Sequence, residues 1–280
     1  MLIDPNKAFI NLEALKKKIE TEGKMILRPS MLQQFLGCPA QWFRAGLLND
    51  YQKPAAAASA GTSLHKGAEV GYTDKIKHGS LPPISYLTDV VVEEWRDLNE
   101  KQELKFGKDE DYHTYERDLV KGITEYHSSV MPISDPIAVE KRYDIMIEDH
   151  PIFKGVGGTL DLVFEEGVGD IKFTKKKTTP EKYMLQQSTY ALLRQKHGET
   201  CNFNQIHNVI RGKGAEVLAL RMNTAYAESV IRRILHVTKV FWETGETELF
   251  RGTNMHAYYL CSPTWCGYWD TCPYVKELRQ

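Results

Sequence analysis

The amino-acid sequence predicts an α/β fold, a central mixed sheet flanked by helices, from changes of period along the chain. Apolar residues keep helical spacing through about residue 130 and alternate with polar ones from Ile137. Helical spacing returns after Pro180 and again over 224–243. The 280 residues suffice for one large domain or two small ones, with no low-complexity run and no solenoid repeat.

The elements follow in order. Residues 7–22 set Ile10, Leu12, Leu15 and Ile19 on one broad face, an amphipathic helix. Ser30 and Gln33 read as a capping box for a short helix through Leu36. Gly37-Cys38-Pro39 ends it, since proline cannot continue the hydrogen-bond ladder. After the small-residue stretch Pro54–Ala60, Thr62 reads as the N-cap of a helix carrying His65 and Glu69. Residues 86–130 are mainly helical and strongly charged, with a break near Gly107. From Ile137, Val139, Lys141, Tyr143, Ile145 and Ile147 alternate with Glu140, Arg142 and Asp144, as on a strand. Ile152–Phe164 and Val168–Phe173 extend the sheet around a turn at Glu165-Glu166-Gly167. A helix follows Pro180 to about Lys196, and Ile206–Ile210 with Val217–Met222 form a hairpin around Gly212-Lys213-Gly214. Beyond the last helix, the tail from Phe250 is irregular and rich in cysteine and aromatics.

Composition narrows the class. A net charge of −1 requires any nucleic-acid site to be a local patch. No apolar run approaches the roughly twenty residues of a membrane helix. Met1-Leu2-Ile3-Asp4-Pro5 lacks the basic start and apolar block of a secretory signal, so a cytoplasmic location is expected. In that reducing setting the five cysteines are not a disulfide framework. Cys38 and Cys201 stand alone, whereas Cys261, Cys266 and Cys272 cluster.

Asp161, Asp170 and Lys172 carry the chemistry. Asp170 and Lys172 point to one side of their strand, Ile171 and Phe173 to the other. With a turn at Glu165–Val168, Asp161 falls opposite Lys172 and diagonal to Asp170, about 7–8 Å away. Two carboxylates and an ammonium then converge, a setting that suits Mg²⁺ or Mn²⁺ and the hydrolysis of a phosphodiester. By spacing alone the triplet equally describes a solvated hairpin edge. Glu140 on the preceding strand, His65 on its helix, and Gln186 with Tyr190 at i and i+4 add to it. The basic run Lys175-Lys176-Lys177 is placed to meet a phosphate backbone.

The ordered set His65, Glu140, Gly158-Thr159-Leu160-Asp161, Asp170-Ile171-Lys172 and Gln186-Gln187-Ser188-Thr189-Tyr190 resembles the PD-(D/E)xK nucleases of the RecB-like branch. The segment from Pro29-Ser30 through Cys38-Pro39-Ala40-Gln41-Trp42-Phe43 resembles that branch's N-terminal element. The resemblance spans about residues 29–272 and implies a restriction-endonuclease-like core in a single nuclease domain over 1–280, with 72–136 as a variable helical insertion. It implies that His65, Asp161, Asp170 and the Ile171 carbonyl hold the metal and that Lys172 is the catalytic lysine. Gln186 would orient the lysine or the phosphate, Tyr190 would face the DNA, and Glu140 is an acidic position of less settled role.

One early cysteine plus Cys261-x4-Cys266-x5-Cys272 resembles the iron–sulfur subgroup, which includes CRISPR-associated adaptation nucleases and AddB-type recombination nucleases. Cys38, Cys261, Cys266 and Cys272 would then hold a [4Fe–4S] cluster that staples the segment from about 250 to 280 to the N-terminal helix. A four-thiolate zinc site and buried free thiols are the alternatives, the late spacings being longer than the usual zinc knuckle. Cys201 falls outside the set.

The activity expected is a Mg²⁺- or Mn²⁺-dependent DNA exonuclease acting on ends or single strands in recombination, repair or replication. Trimming of CRISPR spacers and a non-catalytic DNA-binding or assembly subunit are the competing readings. Lacking a G-x4-G-K-[ST] loop, the chain would work alone, in a viral setting, or beside a helicase or recombination partner. Trp42, Trp265, Trp269 and the tail tyrosines are candidates for stacking on unpaired bases.

Overall fold

The computed structural model describes residues 9–50, 54–251, 261–262 and 266–278, with side chains described through Val275. They group into two compact units, each drawn from separate stretches of chain. One comprises Met1–Gln52, Asp144–Gly158 and Thr224–Gln280; the other comprises Lys53–Tyr143 and Thr159–Asn223.

In the first unit, helix α1 (Leu12–Glu22) starts where the Asn11 side chain accepts from the Ala14 N–H at 2.9 Å, later than the expected residue 7. Strand β1 (Met25–Leu27), too short to show a period, pairs in parallel with the start of β3 (Phe153–Phe164). Helix α2 (Pro29–Gly37) corrects the predicted capping box. Pro29 takes the first helical position, where its missing N–H costs nothing, so Ser30 lies inside the helix rather than capping it. The helix ends at Gly37 as expected. The Cys38 sulfur then accepts from the Gln41 N–H and caps α3 (Pro39–Trp42). Helix α8 (Thr224–Thr244) sets Phe241 edge-on to Phe43 and Phe250, and Phe250 stacks on Trp42.

In the second unit, helix α4 (Ala56–His78) is longer than expected. Alanine loses no side-chain entropy in a helix, so Ala56-Ala57-Ala58 joins it. Thr62 is therefore not a cap; its hydroxyl bonds back to the Ala58 carbonyl. Helices α5 (Ile84–Lys101) and α6 (Tyr112–Ser129) flank the predicted break, and Asp111 caps α6. Segment 72–136 packs into the core, where Val91, Trp95, Leu119 and Ile123 share one apolar cluster with Leu162, Ile171 and Val209 of the sheet.

The sheet runs from β1 through β3, then β4 (Gly167–Thr174) and β5 (Phe203–Ile210), to β6 (Gly214–Leu220), with β2 (Ala138–Met146) also on β3. Strand β4 is antiparallel to β3 and parallel to β5, which pairs antiparallel with β6. Ile171 joins the cluster beneath α4–α6, while helix α7 (Met184–Lys196) packs against β4. Among the described residues no helix is long and apolar enough to cross a membrane.

The β3–β4 turn is tighter than expected, with Phe164 opposite Gly167 and Leu162 opposite Gly169. The buried Arg194 of α7 donates to the carbonyls of Phe164, Glu165 and Gly167 and to the Glu199 carboxylate, at 2.6–3.2 Å. Those groups are bare once the guanidinium is gone. Arg194→Met is therefore expected to cost roughly 3–5 kcal/mol in chemical denaturation. The same set holds Glu199 down at about 2: burial works against its charge, but bonds from Tyr143, Lys141 and Arg194 outweigh it. A lowered carboxyl stabilises the fold above its unfolded value of 4.5, and that contribution is lost as pH falls toward about 2. Acid unfolding of Glu199→Gln should show a correspondingly smaller pH dependence in that window.

Candidate active site

The turn geometry builds the site. Continuing the register one step past Leu162–Gly169 sets Asp161 opposite Asp170, rather than opposite Lys172 as the longer turn implied. Asp161 Oδ2 accepts from the Ile171 N–H at 2.8 Å, which pins the carboxylate against the β4 backbone. Asp170 is 1% exposed. Its Oδ1 accepts from the Gln186 side chain at 3.2 Å, and its Oδ2 lies 2.6 Å from Lys172 Nζ. Gln186 also donates to the Tyr190 hydroxyl at 2.9 Å.

Helix α4 brings His65 to the same place from its interior, not from a helix start. His65 Nε2 donates to the Ile171 carbonyl at 2.7 Å, and Nδ1 lies 3.4 Å from Asp161 Oδ2. Glu140 completes the group. It has φ 48°, left-handed backbone inside β2 that costs energy for a residue with a Cβ, and this marks an irregularity in the strand. One ligand atom each from His65, Glu140 and Asp161 lie within 4.8 Å of one another.

Charges in this cluster shift one another. Asp170 rises to about 6 through burial and the Asp161 charge, with Lys172 opposing. Glu140 rises to about 7. Enclosure of its carboxyl leads, although the residue as a whole keeps open surface, so the nearby Asp161 charge is the cause that rests most directly on geometry. Burial works against the charge on Lys172, but Asp170 and Asp161 outweigh it and hold the ammonium above its ordinary range. Oxygen and imidazole donors backed by a retained cation fit a hard divalent ion.

Other predicted residues lie elsewhere. Tyr190 is buried, pushed up by burial and by Asp170, and its hydroxyl accepts from Gln186. Lys175 and Lys177, themselves exposed, are engaged by the half-buried Glu110 and Glu216 at 3.0 and 2.8 Å, and Lys176 is exposed. Trp42 and Tyr268 are buried in the first unit, so neither offers a free face for a base. Trp269 packs half-buried beside the late cysteines, and Trp265, Tyr258 and Tyr259 lie outside the described residues.

Two features escaped the sequence. The Tyr183 ring lies 5.3 Å from Lys172 Nζ, within cation–π reach. His207, the β5 partner of Ile171, is buried with its Nδ1 hydrogen-bonded to the Tyr126 hydroxyl at 2.6 Å, and Tyr126 meets Tyr72 at 3.1 Å. Burial drives His207 down to about 3, so it is neutral and supports the core. A histidine inside an apolar strand was the available signal.

In the first unit Cys261, Cys266 and Cys272 join one small cluster with Tyr268 and Val275. The Cys38 thiol is pushed up to about 11, chiefly by burial, with a backbone bond from Gln41 opposing and Cys261, Cys266 and Cys272 adding to the rise. The four thiols are thus electrostatic neighbours. Cys201 is buried in the second unit beside Asn204.

A carboxylate pair with a lysine two residues on, held on a β-hairpin, is the arrangement for which one family is named, and its model matches residues 27–273. The chain belongs to the PD-(D/E)XK nuclease superfamily. A crystal structure of a candidate exonuclease from Eubacterium rectale shares the fold, with a TM-score of 0.51 at 13% identity over 89% of each chain. Comparison with curated proteins finds no match.

A cation favours the charged form of every carboxylate beside it, so a divalent ion held by Asp161 and Asp170 has to displace protons from Asp170 and from the nearby Glu140. Mn²⁺ affinity of this nuclease is therefore expected to rise with pH between about 6 and 7. Calorimetry in buffers of different ionisation enthalpy should show proton release, reduced in Glu140→Gln.

Proposed function

We propose that this nuclease is a Mg²⁺- or Mn²⁺-dependent deoxyribonuclease that hydrolyses phosphodiesters at DNA ends or on single strands, as an exonuclease, with residues 1–280 acting as one nuclease domain. The observation that carries the reading is the meeting of His65, Glu140 and Asp161 beside the Asp170–Lys172 pair. His65, Asp161, Asp170 and the Ile171 carbonyl would hold the ion. When bound, the ion neutralises charge on the phosphate and acidifies water.

The chain's own residues divide the remaining work. Lys172, kept charged by two carboxylates, donates toward the attacked phosphate and cannot serve as a base. Glu140 is poised near neutrality, suited to take the proton of the attacking water. Gln186 holds Asp170 in place from α7, and the exposed Lys176 with its neighbours Lys175 and Lys177 meets the strand. The retained set speaks against a non-catalytic assembly subunit. Spacer trimming would need partner proteins, as resection would need a helicase, and a role in recombination, repair or replication is shared by both.

The four neighbouring thiols support a second element of the reading, a structural [4Fe–4S] cluster held by Cys38, Cys261, Cys266 and Cys272. Zinc is the alternative. A brown anaerobic preparation with broad visible absorbance is expected, bleached in Cys261→Ser; a colourless protein containing zinc would refute the cluster.

For the nuclease itself, labelled DNA should release nucleotides with Mn²⁺ and not with chelator. Lys172→Ala is expected to lower kcat by about 10²–10³, the usual effect of removing a charge-stabilising donor. Equal activity in wild type and Lys172→Ala would remove this hairpin from the chemistry.

A further inference from the structure

A cavity of about 450 Å³ in the first unit is lined by Lys18 and Glu22 of α1, Lys24, Arg28, Asn49 and Lys154 of β3. The two carboxylate oxygens there do not balance the cations. Glu22 is already held by Lys18 at 2.5 Å, which leaves Lys24 and Lys154 at the same cavity with no carboxylate partner among the described residues. Lys18 is not a loose surface lysine: its side chain is 9% exposed. Lys24 and Lys154 stand at adjoining places, since Met25 pairs with Phe153 across the β1–β3 edge. Arg28, which precedes helix α2, and Met31 in its first turn also line the cavity. Asn49 supplies an uncharged donor.

A chain whose net charge is −1 concentrates these cations locally, against the cost of their mutual repulsion. Repulsion of this kind is relieved by an anion with several oxygens. We infer that this cavity is a phosphate-binding subsite for the nucleic-acid strand, separate in residues from the hairpin that would cut it. The inference rests on the nuclease reading for the identity of the polymer. It rests on the cavity alone for the phosphate chemistry.

The test is fluorescence anisotropy of labelled single-stranded DNA in chelator, where no turnover occurs, over a range of salt. Lys24→Gln/Lys154→Gln is expected to weaken binding about tenfold and to flatten the salt dependence by roughly 1.4, two contacts at about 0.7 each. Lys77→Gln/Lys108→Gln, an equal charge change at exposed residues elsewhere, should alter neither. The kcat of Mn²⁺-dependent cleavage at saturating DNA should be the same in all three proteins. Unchanged affinity and slope in the first pair, or an equal loss in the control pair, would overturn the subsite. Calorimetry with inorganic phosphate and with a free mononucleotide separates the sources of the anion. Tight binding of either, lost in the first pair while DNA affinity holds, would make the cavity a small-anion site and overturn the strand assignment. DNA bound through these lysines but never cut by wild type would leave the subsite standing and sink the nuclease reading instead.

Discussion

Arg194 closes the β3–β4 turn by donating to three carbonyls that a tight turn leaves turned inward. A strand pairing displaced by one residue would turn every side chain to the opposite face, so the turn length decides which residues meet. With only Glu165 and Glu166 between the paired ends, Asp161 reaches Asp170 instead of Lys172. Helix α7 then acts at two places along its length. Arg194 grips the turn, and Gln186, eight residues earlier and about 12 Å along the axis, holds Asp170. One helix thus sets both the register of the hairpin and the orientation of its most buried carboxylate.

That carboxylate explains the electrostatics around it. A charge at 1% exposure is costly unless paired, and removing it from water takes several kcal/mol. Lys172 and Gln186 offset the cost only in part, so Asp170 rises toward neutrality while Lys172 is pulled above its own range. Asp161 and Glu140 crowd a second and third carboxylate into the same space, close to His65. Carboxylates crowded in this way repel one another, a cost that a divalent cation relieves. The left-handed Glu140 has the same character: strain kept in a strand where a side chain is brought to its partners.

The first unit is organised differently. Its aromatic packing of Trp42, Phe43, Phe241 and Phe250 buries Trp42, which the sequence offered as a platform for DNA bases. Cys38 caps one helix while sharing its electrostatic surroundings with three cysteines more than two hundred residues later. Its cations gather around one cavity near β1, a strand of three residues whose value lies in where it sets Lys24 and Arg28.

Much of this molecule was legible in the order of its residues. The period of two from Ile137, the helix after Pro180 and the break near Gly107 follow from backbone geometry and side-chain alternation, which are local. So does the division of β4 into a face with Asp170 and Lys172 and a face with Ile171. His65, Gln186 and the four spaced cysteines could be picked out because their chemical types are rare in that order. What the sequence left open depends on distance through space. Whether Thr62 or Ser30 caps a helix is decided by the alanines and the proline that precede them in a packed helix. Whether Tyr190 meets solvent or buttresses Gln186 is decided by what covers α7. The turn length, the pairing of Lys175 and Lys177 with acids far along the chain, and the Tyr183 ring beside Lys172 were settled only by tertiary contacts. They join residues whose separation in sequence carries no periodic signal, and burial fixes their partners only once the chain has folded.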